Sequence, residues 1–388
     1  MREFLNPQAA ALQQGGIRAM FDRMAGREGL ISLAVGEPDF GTHPDIVEAG
    51  CRALRDGFTH YTPNAGYLDL REAIVETMRP QGLSYDPGSE VIVTVGAMGA
   101  LAQLFWVLLS PGDEVIVQEP VWVNYYTMIS YPGGVPVPVR TTDDNGFRLR
   151  AADIEARITP RTKVLLLNNP GNPTGAYLKR EELQEIAELA QKHDLLVISD
   201  EVYGLLLYDG NQPASIASFP GMKERTVVIN GFSKAYAMTG WRIGYALGPV
   251  AILRKMVLLQ ENVISCVAAA TQKAAAYALS RPDIVQGMVT VYEEKRNLLL
   301  EGLSRIEGVR CTRPGGAFYL FPDISSICPD SKAFCFDLLD RAAVACIPGV
   351  SFGDAGEGHI RMSYANSKEN LTAAAERLQE YVRRFRRA

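Results

Sequence analysis

The sequence predicts an α/β protein built on a mostly parallel sheet, joined to a smaller α+β part. Three observations predict it. Short apolar runs rich in branched residues recur at 91–95, 163–167, 195–199 and 226–230, and such runs read as buried parallel strands. Between the second and third runs, residues 181–193 place Leu183, Ile186, Leu189 and Ala190 on one face at helical spacing, which makes a strand–helix–strand unit. Each run ends in a polar cluster, and open parallel sheets bind ligands beyond the carboxyl ends of their strands.

Taken in order, residues 91–95 form a strand that runs into Gly96-Ala97-Met98-Gly99, a strand-to-helix turn. Gly112-Asp113 turns the chain into a further strand through Gln118. The run at 163–167 leads into Asn169-Pro170-Gly171-Asn172-Pro173-Thr174-Gly175, and that at 195–199 into Asp200-Glu201-Val202-Tyr203. The run at 226–230 leads to Ser233-Lys234 and, eight residues on, to Arg242. A long helix follows from Arg281 to about Leu303. Strands are then expected at 315–321 and 343–348, with a helix at about 331–341 between them. The first forty-odd residues are loop-rich and do not form a domain alone.

Bulk properties narrow the function. A chain of 388 residues accommodates two domains with a sizeable core. A net charge of -5 supplies no basic field for nucleic acid or an anionic membrane. The basic cluster Arg383, Arg384, Arg386 and Arg387 reads as the last turn of a helix, where cations are favoured. No run of about twenty apolar residues exists to span a bilayer, and no signal peptide is visible. Four scattered histidines and no Cys-x-x-Cys pair give no support for a metal site. The six cysteines fit reduced thiols in a cytoplasmic protein.

The chemistry gathers around Lys234. A lysine that forms a Schiff base with an aldehyde cofactor needs desolvation or nearby cations, so that some amine is neutral. Arginine and hydroxyl groups close by suit a phosphate dianion through forked, charge-assisted bonds. The loop from Ser233 to Arg242 therefore has the means to hold both ends of pyridoxal 5'-phosphate (PLP). Alone, a Ser-Lys pair is an ordinary solvated surface feature; the other strand ends change that reading.

In order and spacing, these segments resemble the class I/II aminotransferases of PLP fold type I, closest in look to the broad aspartate and aromatic enzymes. The resemblance runs from Gly16-Ile17-Arg18 through Val35-Gly36-Glu37-Pro38-Asp39-Phe40 and His60-Tyr61-Thr62-Pro63-Asn64-Ala65-Gly66 to Arg361-Met362-Ser363-Tyr364-Ala365. It implies a three-layer αβα large PLP-binding domain over residues 46–290. Residues 1–45 and 291–388 would together form the small domain.

The resemblance also implies roles. Lys234 carries the cofactor and acts as acid and base. Asp200 faces the pyridine nitrogen, keeping the ring an electron sink. Tyr203 and Asn172 bond the phenolic oxygen, and Trp122 stacks on the ring. Gly96, Ala97, Met98, Ser233 and Arg242 hold the phosphate, helped by helix-start amides. Tyr61 reaches the phosphate from a neighbouring subunit, which makes the protein a homodimer with shared sites. Arg361, with the backbone at Gly36 and with Asn172, binds the substrate α-carboxylate.

The implied activity is ping-pong transamination between an L-amino acid, aromatic, aspartate or similar, and a 2-oxo acid such as 2-oxoglutarate. No second cation for an acidic side chain is identifiable, whereas Phe40, Tyr67 and Phe318 suit an aromatic donor or belong to the core. A PLP-dependent C–S β-lyase on the same fold would keep Lys234, Asp200 and Arg242 and is the alternative. A PLP-responsive transcription regulator would carry a DNA-binding domain ahead of the resemblance, for which the sequence leaves no room.

Overall fold

A computed structural model describes residues 4–12 and 14–385. Arg386 and Arg387 of the predicted basic cluster lie outside the described residues. Arg383 and Arg384 stand in the last turn of the helix Lys368–Phe385, where cations meet the negative end of the helix dipole.

A seven-stranded sheet carries the molecule. Its strand order is Val91–Thr94, Gly244–Leu247, Thr226–Gly231, Leu196–Asp200, Thr162–Asn168, Glu114–Glu119 and Val135–Arg140. Thr226–Gly231, Leu196–Asp200, Thr162–Asn168, Glu114–Glu119 and Val135–Arg140 pair in parallel. Gly244–Leu247 is antiparallel to both of its neighbours. Val91–Thr94, expected as a buried parallel strand, therefore runs in the common direction but hydrogen-bonds only to an antiparallel partner. The consequence for the site is favourable: its carboxyl end, which leads into Gly96, opens on the same side as the ends at Asn168, Asp200 and Gly231.

Burial explains why Val91–Thr94 and Glu114–Glu119 could be read as strands from the sequence. Every residue of Val91–Thr94, Glu114–Glu119 and Gly244–Leu247 is buried. Helices on both faces impose this, so most interior positions are apolar, with Thr94, Glu114, Gln118 and Glu119 the buried polar exceptions in these strands. Arg180–Lys192 covers one face with Leu183, Ile186, Ala187, Leu189 and Ala190. Gly96–Leu108 covers the other through Leu101, Leu104 and Phe105. Burying each such leucine contributes about 1.5–3 kcal/mol.

The smaller part is more fragmented than expected. Within residues 315–321 only Tyr319–Leu320 is a strand, and residues 343–348 split into Val344–Ala345 and Ile347–Pro348. These two pairs join different sheets, because Cys346 between them breaks the ladder. Val344–Ala345 pairs in parallel with Ile31–Ser32. Ile347–Pro348, Ile360–Ser363 and Tyr319–Leu320 form an antiparallel sheet in that order. The backbone amide of Ser363 donates to the carbonyl of Leu33 at 2.7 Å, bringing the N-terminal segment against Arg361's strand. Pro282–Ser304 and Lys368–Phe385 bury Leu299, Leu303, Leu371 and Leu378 in the same core as these strands.

Candidate active site

A cavity of about 360 Å³ opens at the carboxyl ends of the central strands. Among its lining residues are Gly36, Trp122, Asn172, Asp200, Lys234 and Arg361. Ala97, Met98, Tyr203, Ser233 and Arg242 complete the predicted set that faces it.

Asp200 ends its strand and is 3 % exposed. Burial pushes its carboxyl up to about 6. The Tyr125 hydroxyl donating to Oδ2 at 2.5 Å, the Val202 amide donating to Oδ1 at 3.2 Å, and the Lys234 charge pull the other way. A cationic ring nitrogen opposite would favour the ionised form further, since an opposite charge in a dry site acts strongly.

Lys234 follows the strand Thr226–Gly231, and its Nζ donates to the Gly36 carbonyl at 2.6 Å. Burial lowers its ammonium to about 8, helped by the charges of Arg361 and Arg242 and opposed by Glu37 and Asp200. The rings of Tyr203 and Phe318 stand 5.8 and 5.7 Å from Nζ. A desolvated amine beside two guanidinium groups meets the requirement for a nucleophilic lysine.

Arg361 sits on Ile360–Ser363 and is 3 % exposed. Its Nη1 donates to Asn172 Oδ1 at 3.0 Å and its Nη2 to the Ala34 carbonyl at 2.7 Å. The guanidinium carbon lies 4.6 Å from the Tyr319 ring centroid and 4.9 Å from that of Phe352. Its Nε is buried with no hydrogen-bond partner among the described residues. Arg361 lines the cavity, and a planar carboxylate is the matching acceptor for a guanidinium there.

The phosphate end is built from close approaches. Gly96 opens the helix Gly96–Leu108 at φ +68°, and a Cβ there would stand 2.6 Å from Arg242 Nη2. The left-handed turn favours glycine, and a side chain there would also push the guanidinium aside. Gly96 thus shapes the pocket from behind, while Ala97 and Met98 line it. The helix start offers unpaired amides and a positive dipole end. Trp122 lines the cavity and packs edge-on to Tyr125 at 5.2 Å.

Tyr61 is not in this cavity; it is 89 % exposed. Phe40, Tyr67 and Phe318 do not line it either. Phe40 packs on Tyr292, Tyr67 on Phe58, and Phe318 is fully buried beside Tyr203. The apolar wall comes instead from Ile17 and Phe21 on the helix Gly16–Met24 and from Leu101. Asn168, Tyr125 and Tyr319 also escaped the sequence reading. Asn168 Oδ1 accepts from the Asn172 amide at 2.9 Å, and the Tyr319 hydroxyl stands 2.9 Å from that of Tyr203. Among the described residues, no group of three or more His, Cys, Asp or Glu converges to hold a metal.

Residues 28–378 match the family model described as aminotransferase class I and II. The chain is 42 % identical to an aromatic-amino-acid aminotransferase 2 of Thermococcus litoralis, over 95 % of each protein. It is 43 % identical to an aspartate aminotransferase of Pyrococcus abyssi, again over 95 % of each. The solved structure of aspartate aminotransferase from Thermus thermophilus with maleate superposes with a TM-score of 0.92 at 42 % identity, covering 98 % of this chain and 100 % of that one.

Proposed function

This chain belongs to the class I and II aminotransferases, and from that premise we propose how its residues divide the work. It is a PLP-dependent enzyme that transfers an amino group between an amino acid and a 2-oxo acid. When bound, PLP supplies the electron-withdrawing ring that takes up the charge left as the Cα–H bond breaks. The residues described above fit such a group: an anion-binding helix start at one end, a buried carboxylate at the other, and a desolvated amine between them.

In this reading, Arg361 and Asn172 receive the substrate carboxylate, and the placement of the Arg361 guanidinium on the cavity wall beside Asn172 is the observation that carries the assignment. Binding there fixes the substrate's Cα over the Lys234 amine, which takes and returns the proton at Cα. Asp200 faces the pyridine nitrogen and holds its proton. Tyr203 would donate to the phenolic oxygen, Trp122 would pack on the ring, and Ala97, Met98, Ser233 and Arg242 would hold the phosphate. Residues 46–290 serve as the PLP-binding body, and residues 1–45 with 291–388 as the part that closes on the substrate carboxylate.

Ile17, Phe21 and Leu101 give the side-chain subsite an apolar wall. Lys234, Arg242 and Arg361 are its lining cations among the described residues, and each already has a role. This favours an aromatic donor over aspartate. Half-reactions monitored by the absorbance of bound PLP test the reading: phenylalanine or tyrosine converts the cofactor faster than aspartate, and 2-oxoglutarate returns it. Release of pyruvate and ammonia from a cysteine conjugate, without amino-group return to 2-oxoglutarate, would establish the C–S β-lyase instead.

The working unit is a homodimer in the cytoplasm. Two observations support the dimer: Tyr61 projects 89 % exposed beside the large sheet, and Trp106, Leu258 and Val263 are exposed apolar residues on the helices Gly96–Leu108 and Val250–Val263. The six unpaired cysteines support the compartment. If Tyr61 serves its neighbour's phosphate, mixing Tyr61→Ala with Lys234→Ala restores activity. Each hybrid then holds one doubly damaged and one intact site, giving about a quarter of the parent's activity after random exchange. No gain on mixing, with exchange verified by mass, would assign Tyr61 to its own subunit's site or to none.

A further inference from the structure

We propose that Tyr319 is a positioning residue with two separable tasks: its hydroxyl directs the proton of Tyr203, and its ring supports the guanidinium of Arg361. The inference rests on the reading of Tyr203 as the donor to the cofactor's phenolic oxygen.

Tyr319 is 1 % exposed and lies on a strand paired with the one that carries Arg361, with Ser363 opposite it. Its ring centroid is 4.6 Å from the Arg361 guanidinium carbon, and its hydroxyl is 2.9 Å from the Tyr203 hydroxyl. One side chain thus touches both the carboxylate holder and the cofactor-side tyrosine. Gly36 leaves room for this: a Cβ there would come within 2.8 Å of the Tyr319 hydroxyl.

Proton counting gives the hydroxyl its direction. Each phenol has one proton to donate. If Tyr203 gives its proton to an oxygen in the cavity, the bond between the two tyrosines requires Tyr319 to be the donor. A hydroxyl that accepts a bond becomes a better donor, so Tyr319 strengthens the bond that Tyr203 makes. The ring acts independently, since a guanidinium over an aromatic face in a dry site is attracted by the ring quadrupole.

The charged and titratable groups around Tyr203 are Asp200, Lys234, Tyr125, Tyr319 and Arg361; Glu37 and Arg242 also act on Lys234. All remain in a Tyr319→Phe variant except the deleted hydroxyl.

The test is a pH titration of the holoenzyme's visible PLP absorbance, together with the affinity for an unreactive carboxylate, maleate. Tyr319→Phe should raise the spectral midpoint by about 0.2–0.5 pH unit, a fraction of one net hydrogen bond because the Tyr203 bond is weakened and not removed, and leave maleate affinity unchanged. Tyr319→Leu should raise it similarly and weaken maleate about 5- to 30-fold. In a Tyr203→Phe background, Tyr319→Phe should add nothing to the midpoint. An unshifted Tyr319→Phe midpoint beside a shifted Tyr203→Phe one overturns the role of Tyr319 alone. An unshifted midpoint in Tyr203→Phe overturns the Tyr203 assignment and this proposal with it. Additive shifts in the double variant also overturn the coupling.

Discussion

Lys234→Ala loses transamination by about 10⁴-fold or more and no longer forms a borohydride-reducible link to PLP, because the nucleophile and the acid/base group are removed together. The variant stays folded. Burial lowers the ammonium of Lys234 from 10.5 to about 8, so the fold disfavours its charged form rather than depending on it. Thermal melts of the PLP-free proteins should therefore show no loss of stability in the variant. The same shift predicts a pH dependence in the parent. At pH 7 an amine with a pKa near 8 is neutral about 300 times more often than one at 10.5. Capture of PLP by the PLP-free parent should accelerate as pH rises through about 8 and then level off. A reducible link in Lys234→Ala, or normal turnover, would remove Lys234 from the mechanism.

Asp200→Ala keeps PLP bound through Lys234 and the phosphate cradle but slows removal of the Cα proton by about 10²-fold or more. The carboxylate is already buried, held by the Tyr125 hydroxyl and the Val202 amide, and aimed by the end of its strand. Such preorganised charge acts without rearrangement during the reaction. Asp200→Asn keeps the shape and loses the charge, so it should be nearly as slow. Stopped-flow half-reactions with the best aromatic donor give the comparison. Parent-like rates in the asparagine variant would show that charge at this position is not required.

The parts of the fold that could be read from sequence are those buried on both faces. A strand such as Leu196–Asp200 is written as a continuous apolar run because helices cover both sides of it. Val135–Arg140 escaped the reading: it is an edge strand with prolines at 136 and 138, paired only to Glu114–Glu119. Edge positions tolerate proline because one side of the ladder is unpaired. Whether Phe40, Tyr67 and Phe318 face the site or belong to the core stays open in the sequence for a related reason, and in the structure they lie outside the cavity. Phe40, Phe318, Tyr319 and Phe21 are all large aromatics near recognisable motifs, and nothing in their spacing tells which face a cavity and which a core.

The sequence by itself determined which chemistry stands at the strand ends: Lys234, Asp200, Asn172 and the glycine turn at Gly96 follow buried strands that share one direction. Tertiary structure alone decided what those groups are worth. Arg361 meets Asn172 across 189 positions and the Ala34 carbonyl across 327. The amine of Lys234 is shifted down first by burial and then by the Arg361 charge, and the carboxyl of Asp200 is shifted up by burial against the pull of the Tyr125 hydroxyl, the Val202 amide and the Lys234 charge. Desolvation and Coulomb forces depend on distance and dielectric in space, not on separation along the chain. Residue identity therefore fixed the functional groups, and packing fixed their protonation and their partners.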